Sequence, residues 1–131
     1  MTDVVRRILI VDDDPDIVAN ISDILNEAGY DTVTATDGQS ALDRIDRPDG
    51  QGGCAFDLAL LDFRMPDMDG AELFRQIHKR YPELRAIMIT AFAGDDGVNR
   101  ALEAGTWRVL HKPVDVAELL GMISEAVGQR A

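Results

Sequence analysis

Residues 7–15 read Arg7-Ile8-Leu9-Ile10-Val11-Asp12-Asp13-Asp14-Pro15, and the break inside this stretch decides the fold. Arg7 to Val11 is a short apolar run rich in β-branched residues, with no polar alternation. That is the pattern of a strand buried on both faces. Three acids and a proline then cut it off. Asp14 is suited to cap a helix, and Pro15 fits the first helical position, where a missing N–H costs nothing. Ile17, Ile21, Ile24, Leu25 and Ala28 keep helical spacing until Gly29. A buried strand therefore runs straight into an amphipathic helix through an acidic turn.

The same unit recurs along the chain. Tyr30 to Ala35 reads as a second strand, and Thr36-Asp37-Gly38 opens a second helix carrying Ala41, Leu42 and Ile45. Arg47 to Ala55 (RPDGQGGCA) holds a cluster of helix breakers and reads as a loop. Phe56 to Leu61 is another buried strand ending in an acid, Asp62. Past Met65-Pro66, Asp69 is placed to cap a third helix with Leu73, Phe74 and Ile77 on one face. Ala86 to Ile89 is a fourth strand ending at Thr90, and Val98, Ala101 and Leu102 mark a fourth helix stopped by Gly105. Val109-Leu110 is a short fifth strand ending at His111-Lys112-Pro113. Asp115 then caps a last helix with Leu119, Leu120, Ile123 and Val127.

Strand and helix thus alternate five times, with no internal repeat. Such alternation predicts an α/β fold, a parallel sheet covered on both faces by helices. The 131 residues suit one domain with one core. Hydrophobic residues at 46% and charged residues at 28% are ordinary for a globular chain. No apolar run reaches the ~18 residues of a membrane span, and Met1-Thr2-Asp3-Val4-Val5-Arg6-Arg7 lacks the order of a secretory signal. Cys54 is the only cysteine, which fits a reducing cytoplasm. A net charge of -11 opposes direct nucleic-acid binding, since phosphate backbones demand the opposite sign.

Ligand sites in doubly wound sheets lie beyond the carboxyl ends of the strands. The polar residues closing strands one, three, four and five are Asp12-Asp13, Asp62, Thr90 and Lys112. Three carboxylates gathered in one cleft repel unless a cation joins them. Oxygen donors without histidine or thiol favour a hard ion, Mg2+ above Zn2+. Lys112 adds a compact positive charge and Thr90 a hydroxyl. Metal, ammonium and hydroxyl are the groups that hold a phosphoryl group in transfer, and an aspartate can itself be the nucleophile. Singly, each residue has a plainer reading: Asp12 to Asp14 as a cap and solvated turn, Asp62 and Thr90 as ordinary strand ends, Lys112 as an exposed terminus. Their combination on four strand ends favours the chemical reading.

With these residues in view, the chain resembles the receiver domains of two-component response regulators. The resemblance is carried by Ile8-Leu9-Ile10-Val11-Asp12-Asp13-Asp14-Pro15, Leu60-Leu61-Asp62-Phe63-Arg64-Met65-Pro66-Asp67-Met68-Asp69-Gly70, Ile89-Thr90-Ala91 and Lys112-Pro113, and it runs from about Arg7 to Val127. It implies a flavodoxin-like sheet of order 2-1-3-4-5 with five helices, forming a single receiver domain over residues 1–131 with its core at about 7–127. It also implies that Asp62 accepts a phosphoryl group and that Asp12, Asp13, Asp62 and the main-chain carbonyl of Arg64 hold Mg2+, Asp13 more directly than Asp12. Thr90 and Lys112 would bind phosphoryl oxygens, and the Lys112-Pro113 peptide would be cis. A sensor histidine kinase or histidine phosphotransfer protein would be the donor. The conformational switch that follows would control an effector domain or target protein, or a homodimer formed on phosphorylation, in the cytoplasm. The chain ends soon after its last helix, so the regulator either stands alone or belongs to a longer protein with a C-terminal effector.

Three features depart from the family pattern. Val109 replaces the usual aromatic three places before the lysine, Val114 stands where phenylalanine commonly follows Lys-Pro, and the loop from Arg47 to Ala55 is longer than usual. Val109 has no ring to swing, so switching is expected to run through the segment from Ala91 to Gly97. A haloacid-dehalogenase-type phosphatase is the rival enzyme, with Asp12 and Asp14 as its acid pair. Asp16 stands where that family expects Thr or Val, and 131 residues leave little room for a substrate cap. A receiver-like binding module without phosphorylation is the other rival, although every chemical residue is present. Tyr81 and Trp107 read as packing or surface aromatics, His78 as solvated beside Lys79 and Arg80, and His111 and Cys54 as carrying no assigned chemistry.

Overall fold

The computed structural model describes residues 6–46, 53–91, 99 and 102–127. Five strands, β1 (Arg7–Val11), β2 (Asp31–Ala35), β3 (Leu58–Asp62), β4 (Arg85–Thr90) and β5 (Arg108–His111), form one parallel sheet in the order β2-β1-β3-β4-β5. The helices are α1 (Pro15–Glu27), α2 (Gly38–Arg44), α3 (Gly70–Arg80) and α5 (Val116–Ala126). Asn99 and residues 102–104 are the described part of α4. Val98 and Ala101, assigned to that helix from the sequence, lie outside the described residues, as do residues 47–52 of the long loop and residues 92–97.

Side-chain alternation along the strands divides the core into two layers. Ile8, Ile10, Leu58, Leu60, Ile87 and Ile89 face Val18, Ile21 and Leu25 of α1 and Leu119 and Ile123 of α5. Leu9, Val11, Ala59, Leu61, Ala86 and Met88 face Ile45 beyond α2 and Leu73, Phe74 and Ile77 of α3. The central strand β3 is buried along its whole length. An unalternated apolar sequence is what such a strand requires.

Aspartates cap four of the helices. Asp14 accepts from the Asp16 and Ile17 amides, Asp37 from Ser40, Asp69 from Glu72 and Asp115 from Glu118. Each cap of this kind contributes roughly 1 kcal/mol, and part of the acidic excess is thereby structural. β1 has the expected bounds, and the other strands run one or two residues beyond or short of the sequence expectation. β3 begins at Leu58 rather than Phe56 and takes in Asp62 as its last residue. The Arg47–Ala55 loop closes on a paired base: Asp46 and Cys54 form an antiparallel bridge, and the Ala55 amide donates to the Ile45 carbonyl at 2.8 Å. The Tyr81 hydroxyl, at the end of α3, hydrogen-bonds the Asp46 carboxylate and lies 3.0 Å from the Gly53 carbonyl oxygen. Among the described residues, no helix is long and apolar enough to cross a membrane.

Candidate functional site: an acidic pocket at the strand ends

Parallel register brings the strand-end residues to one rim. Val11 of β1 pairs with Leu61 of β3, so Asp12 follows the one as Asp62 follows the other. Asp62 pairs with Ile89, one place before Thr90, and Thr90 pairs with His111, one place before Lys112. The Lys112 amide donates to the Thr90 carbonyl at 2.7 Å, and the Lys112–Pro113 peptide is cis.

A pocket of about 210 Å3 opens here, lined by Asp13, Asp62, Phe63, Arg64, Thr90, Ala91 and Lys112. Asp12, Asp62 and Thr90 are buried, while Asp13 and Arg64 reach solvent. One carboxylate oxygen from each of Asp12, Asp13 and Asp62 lies within 4.8 Å of the others. Lys112 Nζ sits 3.1 Å from Asp12 Oδ2 and 3.2 Å from Asp62 Oδ1. Asp12 Oδ1 accepts from the Asp14 amide at 3.0 Å. The structure therefore gathers Asp13, Asp62, Thr90, Lys112 and the Arg64 segment around one cavity, with Asp12 joined to them through Lys112 and the carboxylate cluster.

The charges in this pocket do not balance. Burial and the neighbouring Asp12 carboxylate push the Asp62 carboxyl up to about 6, against the lowering effect of Lys112. Burial alone would lower the Lys112 ammonium, but its hydrogen bond to Asp12 and the charges of Asp62 and Asp12 outweigh this and raise it. One ammonium among three carboxylates leaves a surplus of negative charge. A hard divalent cation with oxygen ligands would cancel that surplus, so the donor set fits a metal site.

Asp14, the second acid of the phosphatase reading, is engaged otherwise: its carboxylate caps α1. Val109 is half-buried against the layer under α2 and α3, and Val114 packs against the layer under α1 and α5. The Arg85 and Arg108 guanidiniums both lie over the Trp107 ring, 5.1 and 4.3 Å from its centre. His78 is exposed and stacks on Phe74 with ring centres 5.3 Å apart. The sequence reading overlooked Asp67, whose carboxylate accepts from the Gly38 and Gln39 amides of α2. Its place after Pro66 in a turn was the available signal, but its partner lies on another element.

Comparison with known proteins agrees with this geometry. The profile of the response regulator receiver domain family matches residues 8–124. A response regulator receiver protein of Anaeromyxobacter is 38% identical over 117 residues, covering 89% of this chain and 47% of that protein. Sporulation initiation phosphotransferase F of Bacillus subtilis is 34% identical over 116 residues, 87% of each chain. A CheY-like receiver domain from Methanospirillum hungatei superposes with a TM-score of 0.85 at 35% identity, covering 95% of this chain and 94% of that one. The chain belongs to the response regulator receiver domain family. It is a phosphoacceptor of two-component signalling, rather than an enzyme in the ordinary sense. The chain spans about half the length of the Anaeromyxobacter relative.

Proposed function

We propose that Asp62 is the phosphoacceptor, that Mg2+ is held by Asp12, Asp13, Asp62 and the Arg64 carbonyl, and that Thr90 and Lys112 bind phosphoryl oxygens. The observation that carries this reading is the place of Asp62. It is a buried carboxylate in a pocket, 3.2 Å from an ammonium and grouped with two further acids. With its carboxyl at about 6, the nucleophilic anion still dominates at neutral pH. The donor is a phosphohistidine of a sensor histidine kinase or histidine phosphotransfer protein. A carboxylate oxygen of Asp62 attacks phosphorus, the P–N bond breaks, and its electron pair returns to the imidazole. The product is an acyl phosphate on Asp62. Bound Mg2+ would supply charge neutralisation for the phosphoryl oxygens. Lys112 supplies a fixed positive charge from the other side, and Thr90, at the end of β4, a hydroxyl donor.

A groove of about 780 Å3 lined by Asp16, Ile17, Asn20, Ile21, Lys112, Pro113 and Val114 opens beside the pocket. It is a suitable seat for the histidine-bearing partner. Leu102 of α4 and Val116 of α5 leave apolar surface exposed elsewhere, which supports a homodimer or an effector contact after phosphorylation. We read residues 1–131 as one receiver domain working in the cytoplasm, its output carried by an effector domain or target protein. Incubation with a small acyl-phosphate donor tests the chemistry. One hydroxylamine-labile phosphoryl group should appear with Mg2+ and vanish with a chelator, and labelling that ignores the chelator would contradict the reading.

A further inference from the structure

The loop from Phe63 to Asp69 carries Arg64 and is fixed at both base and tip. At the base, the Phe63 amide donates to the Ile89 carbonyl at 2.9 Å, and the Gly70 amide to the Phe63 carbonyl at 2.7 Å. A Cβ on Gly70 would stand 2.6 Å from the Asp62 carbonyl oxygen, so β3 and α3 meet with no room to spare. At the tip, Asp67 Oδ1 accepts from the Gly38 amide and Oδ2 from the Gln39 amide, each at 3.0 Å. The Met68 side chain lies against the same turn, where a Cβ on Gly38 would come within 2.5 Å of Met68 Cγ.

The first turn of a helix leaves amides without intrahelical partners. In α2 its own cap, Asp37, takes Ser40 at 2.7 Å. Asp67 takes the two amides before it. With seven residues, α2 is too short to be stable by itself and depends on such contacts. The bonds from Gly38 and then Gln39 hold the Asp67 carboxyl below its usual range, as expected of a charge at a helix N-terminus.

We propose that Asp67 is a positioning residue for the metal site: its carboxylate ties the loop carrying the Arg64 carbonyl to the first turn of α2. A main-chain carbonyl has no rotamer to adjust, so its position is set by the loop backbone alone. Freeing the tip allows the loop more conformations, and the cost of ordering it then falls on ligand binding. Coupling between two sites is reciprocal, so metal binding at the pocket must also be felt at the Gly38 and Gln39 amides. This inference rests on the reading of the pocket as a Mg2+ site.

A Mg2+ titration followed by amide NMR shifts tests both parts. In the wild-type chain, Mg2+ should shift Gly38 and Gln39 as well as the pocket residues. Asp67→Ala should raise the Mg2+ Kd roughly fivefold, the effect of losing about one net hydrogen bond. The loss should persist in about 1 M KCl, where exposed charges are screened beyond ~3 Å. Asp67→Asn, which keeps one acceptor oxygen, should fall between and serves as the comparison if the alanine variant does not fold. Equal Mg2+ affinity in the folded variants, or a loss that disappears at high salt, overturns the proposal. A wild-type chain that does not bind Mg2+ overturns the metal reading beneath it.

Discussion

Lys112 Nζ stands 3.2 Å from Asp62 Oδ1, joining the end of β5 to the end of β3 across β4. The same ammonium is 3.1 Å from Asp12 Oδ2, so one cation serves two buried carboxylates. Lys112→Met should destabilise the metal-free protein by about 1–3 kcal/mol, because it leaves buried acceptors without their donor. Adding Asp62→Asn should recover part of that loss, since a neutral amide needs no cation beside it. Denaturant unfolding of both single variants and the double variant gives the coupling, expected at roughly 0.5–3 kcal/mol. Strictly additive losses would show that the pair does not act as one unit.

The raised Asp62 carboxyl makes stability depend on pH. Its folded value of about 6 lies above the ordinary 3.8, so the folded state binds more protons between these values. Its contribution to stability is full below about 4 and is lost as pH rises through about 6. Without metal, the melting temperature of Asp62→Asn relative to the wild type should therefore climb across this window and level off above it. A difference that stays flat from pH 4 to pH 7 would mean that Asp62 is not electrostatically strained.

Mg2+ should relieve that strain. A ligand at a hundredfold excess over Kd, bound only to the folded state, stabilises it by about 2.7 kcal/mol. Thermal melts should show an upward shift with Mg2+, and Asp13→Ala should remove most of it. Equal shifts in the wild type and in Asp13→Ala would place the ion elsewhere.

Gly70 tests how closely the site is built. A methyl group there meets the Asp62 carbonyl oxygen, Met88 Sδ and Phe63 Cα at 2.6, 2.6 and 3.0 Å. Met88 can move, but the backbone atoms cannot without displacing Asp62. Gly70→Ala should cost about 1–3 kcal/mol, the usual range for overpacking, and should weaken Mg2+ binding as well. Unchanged stability and unchanged affinity would show slack that the packing does not suggest.

Much of the architecture was legible in the sequence, because β1, β3 and β4 are short apolar runs closed by an acid or a threonine, and the shorter β5 runs into a lysine. The alternation of elements implied a parallel sheet, and the resemblance supplied the order that the structure displays. Asp12, Asp13, Asp62, Thr90 and Lys112 stood out as polar residues directly after buried runs, and the structure gathers them at one rim. Asp67 and Tyr81 were not legible in the same way. Asp67 sits in the β3–α3 turn, but its partners are amides at the start of α2. Tyr81 ends α3, yet it reaches the base of the α2–β3 loop. Contacts between distant segments leave no local pattern, whereas periodicity and capping do. The strand edges shifted by a residue or two for a related reason: pairing with a neighbouring strand, rather than composition, sets where a strand stops.

The central claim is that the phosphoryl group resides on Asp62. After treatment with a small acyl-phosphate donor and Mg2+, borohydride reduction followed by peptide mass spectrometry locates the modified aspartate. The modification should fall on Asp62, with none detectable in Asp62→Asn. Modification of Asp12, with Asp62→Asn still labelled, would contradict the account and favour the phosphatase reading.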